Sequence, residues 1–173
     1  MFYLKKPDTN DAGEFIDMMA EWESTDESIV PSIMCWYSPH FETFLSVLAQ
    51  YEDAKTTPPQ MAPATLYILT NETGRIFGGF HIRHYLTHEL RLFGGHIGYG
   101  IRPSERGKGL GKIQLELGLE IARDMGFKKV MVSCDARNKA SDAVIRHCGG
   151  ELEFEGVSEL HPNIRLKRYW ITL

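Results

Sequence analysis

Up to about residue 60 the apolar positions follow a helical period. Phe15, Met18, Met19 and Trp22 stand at intervals of three, one and three behind two capping residues, Thr9 and Asp11, which predicts a helix running to about Trp22. Its other side is acidic. Phe41, Phe44, Leu45, Leu48 and Tyr51 repeat the pattern and predict a second helix over His40–Tyr51. Phe2–Lys5 reads as a short first strand, and residues 54–64, AKTTPPQMAPA, read as a loop because consecutive prolines suit neither helix nor interior strand.

From Thr65 onward the pattern shortens to β-rich runs separated by turns: TLYILT, then RIFGGFHIRHYL, then GGHIGYGI. Asn71, Glu72, Thr73 and Gly74 between the first two predict a hairpin. A helical stripe returns with Leu110, Ile113, Leu117 and Ile121, predicting a helix from about Gly109 to Met125 that Gly126 stops. Lys129–Cys134 reads as a buried strand. Ser141, Val144, Ile145 and Cys148 mark a further helix ended by Gly149 and Gly150, and strands at Leu152–Val157 and Ile164–Leu173 close the chain. This order of elements is that of one mixed α/β domain over residues 1–173.

Composition narrows the function. At 173 residues, with 43% hydrophobic and 24% charged positions, the chain can bury a core without disulfides or metal. No apolar run reaches the ~18 residues of a membrane span, and the N-terminus lacks a signal-peptide stretch, so the expected location is the cytoplasm, with no membrane partner. The net charge of -4 argues against nucleic acid. It conceals a split: residues 1–60 carry eleven acidic and three basic side chains, residues 61–173 twelve and sixteen. Cys35, Cys134 and Cys148 show no metal or redox spacing and read as reduced, mostly buried thiols.

The most informative segment is Ile101–Lys112, IRPSERGKGLGK, between a strand and an amphipathic helix. Glycines there allow a sharp turn and present N–H groups at a helix start, a site for an anion that Arg106, Lys108 and Lys112 reinforce. A nucleotide-binding P-loop fails twice, with Arg106 at its first glycine and Ile113 at its hydroxyl position. The dinucleotide fingerprint meets Lys112 where its third glycine belongs. What remains is Arg106-x-x-Gly109-x-Gly111. With Arg102-Pro103 before it and Asn138-x-x-Ser141 after the next strand, the sequence resembles the GNAT N-acetyltransferase superfamily, most specifically over residues 97–150.

The resemblance implies the GNAT fold, a mixed and mostly antiparallel central sheet flanked by helices. It also implies acetyl-CoA as cosubstrate, no metal, and direct transfer of acetyl to a primary amine of a small molecule or peptide. The loop residues Arg106, Gly107, Lys108, Gly109, Leu110, Gly111 and Lys112 would hold the pyrophosphate, and Asn138 and Ser141 the pantetheine and phosphates. The strand before the loop would bulge and splay, freeing the N–H groups of Tyr99, Gly100 and Ile101; Gly98 and Gly100 fit a bulge there. Many members carry a tyrosine four residues after the small residue of the N-x-x-S pattern, as acid for the leaving thiolate. Here that position is Ile145.

Tyr99 is the candidate substitute acid. His96 is the candidate base, although regular strand alternation turns it away from Tyr99; Asp135, His81 and His84 are further candidates. The N-terminal helices would wall the acceptor site, and their acidity would favour a cationic amine. The C-terminal strand could serve a homodimer or complete the sheet. A catalytically silent acyl-CoA-binding or sensor protein of the same fold is the alternative, supported by Ile145. A nucleotide-binding module on the same glycines is a further rival that both motif failures disfavour.

Overall fold

The computed structural model describes residues 1–37 and 40–173. Among them, seven strands form one sheet in the order β1-β2-β3-β4-β5-β7-β6. They are β1 (Tyr3–Lys5), β2 (Ala64–Thr70), β3 (Ile76–Arg83), β4 (Ile97–Ile101), β5 (Lys129–Asp135), β6 (Glu151–Val157) and β7 (Arg165–Thr172). Neighbours run antiparallel except β4 and β5, which are parallel. The helices are α1 (Ala12–Glu23), α2 (Phe41–Glu52), α3 (His88–Leu92), α4 (Leu110–Asp124) and α5 (Lys139–His147).

Each sheet face is covered because strand side chains alternate and the helices carry matching apolar stripes. On one face Phe15, Met18, Met19 and Trp22 of α1 and Phe41 and Phe44 of α2 pack with Leu66, Ile68 and Ile76. On the other, Leu115, Leu119 and Ala122 of α4 and Ile145 of α5 pack with Phe80, Ile97, Val130, Val132 and Tyr169.

Several expectations shift. Asp11 is the N-cap of α1, as expected, but makes no side-chain cap bond there; a 3-10 turn over Thr9–Asp11 precedes it, capped by Asp8, whose carboxylate accepts the Asn10 N–H while Asp11 accepts the Asp8 N–H. The second run ends as a strand at Arg83, and the gap beyond it holds α3, which begins where the Thr87 hydroxyl accepts the Leu90 N–H at 3.2 Å. The expected bulge in β4 is absent, since β3 and β4 stay in register from Ile82↔Ile97 to Gly78↔Ile101. The irregularity lies instead in the β2–β3 ladder, between Leu69 and Thr70. Strand β7 lies between β5 and β6 with both edges paired, so it completes the sheet and leaves no edge for a second copy. Of the cysteines, Cys35 is exposed and Cys134 and Cys148 are half-buried, all reduced.

No helix among the described residues is long and apolar enough to cross a membrane. Nor do they hold a cluster of three or more His, Cys, Asp or Glu that could bind a metal.

Candidate active site

Strands β4 and β5 share one register pair among the described residues, Ile97↔Val132, and part beyond it. The Arg102 N–H bonds the Phe77 carbonyl at 2.8 Å, so alternation turns the backbone groups of Gly100 toward β3 and those of Tyr99 and Ile101 toward the gap. The Ile101 carbonyl confirms this direction by accepting the Arg106 Nε at 3.0 Å. The amide of Gly100, expected to be free, therefore belongs to the β3 ladder.

Glycine at 100 has a different cause. A Cβ there would stand 2.3 Å from the Val30 carbonyl oxygen, and one at Gly98 would lie 3.5 Å from Pro31. The segment from Val30 to Met34 lies flat on β4 and β3, and side chains would lift it.

The loop after β4 makes a short turn over Pro103–Glu105, then passes Gly107 and Gly109 at φ of 75° and 78° before α4 starts. Those angles suit glycine. Gly109 provides no capping side chain, so the N–H groups of Leu110 and Gly111 stay open at the positive end of the helix. Across the gap, Asn138 caps α5 by accepting the Ser141 N–H at 3.0 Å, and the Ser141 hydroxyl lies 3.0 Å from that of Tyr99.

These elements enclose a groove of about 670 Å³. Its walls contain Tyr99, Gly100, Ile101, Arg106, Gly107, Gly109, Leu110, Gly111, Lys112, Asn138 and Ser141. Among the expected loop residues only Lys108 is not part of the wall; its ammonium bonds Glu105 at 2.8 Å. Trp22, Glu27, Ser28 and Val30 form the opposite wall and had no signal in the sequence, because they reach the groove by tertiary packing alone. The donor set of open amides, Arg106 and Lys112 fits a pyrophosphate.

Charge in the N-terminal region is largely spent internally. Arg102, with its side chain 7% exposed, bonds Glu14 at 2.5 Å and Glu21 at 2.6 Å, and Glu21 also accepts the Ser104 N–H. Glu27 holds Arg106 at 2.5 Å. Three acids of the acidic front, Glu14, Glu21 and Glu27, are thus partners of arginines of the basic back.

The candidate acid–base residues separate. Burial pushes the Tyr99 hydroxyl well above the ordinary tyrosine value, so it keeps its proton. His96 is turned away from the groove: its Nδ1 accepts the Met131 N–H at 2.8 Å and its ring lies against Phe127 and Trp170. Burial, with the Arg83 charge adding to it, lowers His96 to about 4. Asp135 bonds Arg137 through both oxygens, which holds it below the usual carboxylate range, and it is not in the groove wall. His84 bonds Thr65 at 2.9 Å. Ile145 is fully buried in the core.

A second cavity, of about 280 Å³, lies beside the segment 30–34. Its walls come from Ser32, Ile33 and Trp36, from Tyr51, from His81 and Arg83 of β3, from α3, and from Leu160 and His161. Ser32 and Ile33 therefore border this cavity as Val30 borders the groove.

The model of the acetyltransferase (GNAT) domain family matches residues 2–151. A comparison with curated protein sequences finds no match. Among solved structures, the chain is similar to RimL, the ribosomal L7/L12 α-N-protein acetyltransferase in complex with coenzyme A, at TM-score 0.69 and 16% identity over 99% of this chain and 94% of that one. An acetyltransferase from Salmonella typhimurium that modifies the N-terminal serine of L7/L12 aligns at TM-score 0.68 and 16% identity, covering 99% and 95%. Mutant forms of the spermidine/spermine N-acetyltransferase SpeG from Vibrio cholerae align at TM-score 0.66 and 14% identity, covering 99% and 95%. The fold is common to all three.

Proposed function

The chain belongs to the GNAT acetyltransferase family, and as the work of this member we propose transfer of acetyl from acetyl-CoA to a primary amine by direct attack in a ternary complex. One observation carries the reading: the expected loop, β4 and α5 residues other than Lys108 line a single groove in the gap between β4 and β5.

Acetyl-CoA, when bound, supplies an activated acetyl group: the acceptor nitrogen bonds the carbonyl carbon as the carbon–sulfur bond breaks, one proton passing from nitrogen to water and one reaching the sulfur. Leu110 and Gly111 hold the pyrophosphate with open amides, and Arg106 and Lys112 add charge-assisted bonds. Tyr99 and Ile101 offer the backbone groups that orient the pantetheine arm and donate to the carbonyl oxygen. Tyr99, its hydroxyl 3.0 Å from Ser141 and protonated at neutral pH, is the group we assign to give the sulfur its proton, recovering one that the acceptor nitrogen releases. His96 and Asp135 have no part in this reading, since both are committed elsewhere.

The test is acetyl-CoA-dependent thiol release with a panel of primary amines. Release that depends on the amine supports the reading. A protein that binds acetyl-CoA but releases no thiol with any amine is the acyl-CoA-binding alternative, which the buried Ile145 favours.

A further inference from the structure

The second cavity holds a cation with no anion. Arg83 is half-buried in its wall, and its Nη1 reaches only the carbonyls of Gly94 at 3.5 Å and Gly95 at 3.4 Å. Among the described residues no carboxylate pairs with it, although most other arginines of the chain are in ion pairs. Burial lowers it to about 10, which leaves it charged at neutral pH. Beside it His81 is 8% exposed, lines the same cavity, and has a buried Nδ1 without a partner. A half-buried guanidinium met only by two long carbonyl contacts and a buried ring nitrogen without a partner are both costly, so the cavity suits a group that meets both. The other ionisable residues in its wall are Glu89, exposed on α3, Tyr51, whose ring packs against Trp36, and His161, whose ring packs edge-on against Phe93.

Most of the rest of the wall is apolar or aromatic, with Ile33, Trp36, Leu90 and Phe93 prominent, while Ser32, Gln60 and Thr87 add polar groups. A volume of about 280 Å³ suits a small ligand. Position adds a further constraint. A Cβ at Gly98 would stand 3.4 Å from the Arg83 Nη1, so the guanidinium lies against the residue before Tyr99. An acid held there would place an amine a few bonds away near Gly98 of β4.

On the basis of the proposed transferase activity, we propose that this cavity is the acceptor site and that Arg83 binds an acid group of the acceptor. The acceptor is then an amino acid or close analogue, carrying an amine, a nearby carboxylate and an apolar side chain, rather than a polyamine. The guanidinium takes the carboxylate through parallel N–H bonds, and His81 meets one carboxylate oxygen through Nδ1–H. Arg83 repels a polycation in the same place.

The experiment uses the purified full chain with phenylalanine, phenylalaninamide, phenethylamine and spermidine. Thiol release from acetyl-CoA is measured, and in parallel each amine is titrated by calorimetry. The expected result is that phenylalanine exceeds its amide and phenethylamine by about 100-fold in kcat/KM and in affinity, with spermidine weakest. Arg83→Met should abolish that preference and Arg83→Lys should keep part of it, with circular dichroism confirming the fold. Transfer to spermidine or phenethylamine as efficient as to phenylalanine overturns the inference and leaves the transferase reading standing. If no amine releases thiol the transferase reading fails, and titration decides separately: carboxylate-dependent binding lost in Arg83→Met supports the site, and its absence overturns it.

Discussion

The Arg106 guanidinium donates to Glu27 at 2.5 Å while its Nε holds the Ile101 carbonyl at 3.0 Å. The side chain expected to meet a phosphate is thus already paired, by an acid from the segment after α1. Both partners are open to solvent, 38% and 56% exposed, so the pair is worth at most about 1 kcal/mol. Glu27→Gln removes a competitor and should lower the KM for acetyl-CoA about 2- to 5-fold with no change in thermal midpoint. Initial rates at low and high salt check it, since the difference should shrink as salt screens the pair.

Tyr99→Phe removes the proposed proton donor but keeps the ring in its packing. The expected loss is about 10- to 100-fold in kcat with little change in the KM for acetyl-CoA. Because burial holds the hydroxyl far above neutrality, the wild-type rate should not fall on the alkaline side through loss of this proton. Equal kcat values for the two proteins would remove Tyr99 from the chemistry.

Two glycines of the groove should respond differently to alanine. At Gly100 the added methyl would meet the Val30 carbonyl at 2.3 Å, a backbone contact that must shift, and about 1–3 kcal/mol of stability should be lost. At Gly111 the nearest atom is Val144 Cγ2 at 3.6 Å, ordinary contact, and the residue already lies within helix α4. Gly111→Ala should leave the urea midpoint unchanged while raising the KM for acetyl-CoA, by crowding the approach to the open amides.

His96 and His81 are lowered to about 4 and about 3, burial being the main cause in each. Unfolded, both would take up a proton near pH 6.5. Between pH 6.5 and 4 the unfolded state therefore binds more protons, and stability falls as pH falls, by up to about 3 kcal/mol for each histidine. The lowered carboxylates of Glu21 and Glu105 add their own loss only below about pH 4. Urea denaturation from pH 7 to pH 4 measures the slope. His96→Asn, which keeps an acceptor for the Met131 N–H, should reduce it by about half.

The sequence carried those parts of the protein that local pattern encodes. Helical spacing located α1, α2, α4 and α5, and the spacing of Arg106, Gly109, Gly111, Asn138 and Ser141 anticipated residues that line one groove. It was silent where distant segments meet. Nothing in residues 27–34 announces that they lie across β4, so Gly100 reads as a bulge residue when it is clearance for a crossing chain, while a Cβ at Gly98 would meet only ordinary contacts. The acidity of residues 1–60 suggested attraction of a cationic substrate, but Glu14, Glu21 and Glu27 face Arg75, Arg102 and Arg106, partners 61 to 88 residues away. Arg83 sits in an ordinary β-run, and that no carboxylate among the described residues pairs with it is visible only in three dimensions.

The single register pair between β4 and β5 has a mechanical meaning. The sheet is two slabs, β1 to β4 and β5 to β6, joined at the start of β4, where Ile97 pairs with Val132 and His96 bonds Met131 through its N–H and its ring, and unpaired beyond it. On the proposed reading, a cosubstrate arm along Tyr99 and Ile101 would take the place of the missing rungs, as an extra strand would. The molecule that delivers the acetyl group is then also a splint, and the protein should be most prone to open along this seam in the interval between turnovers.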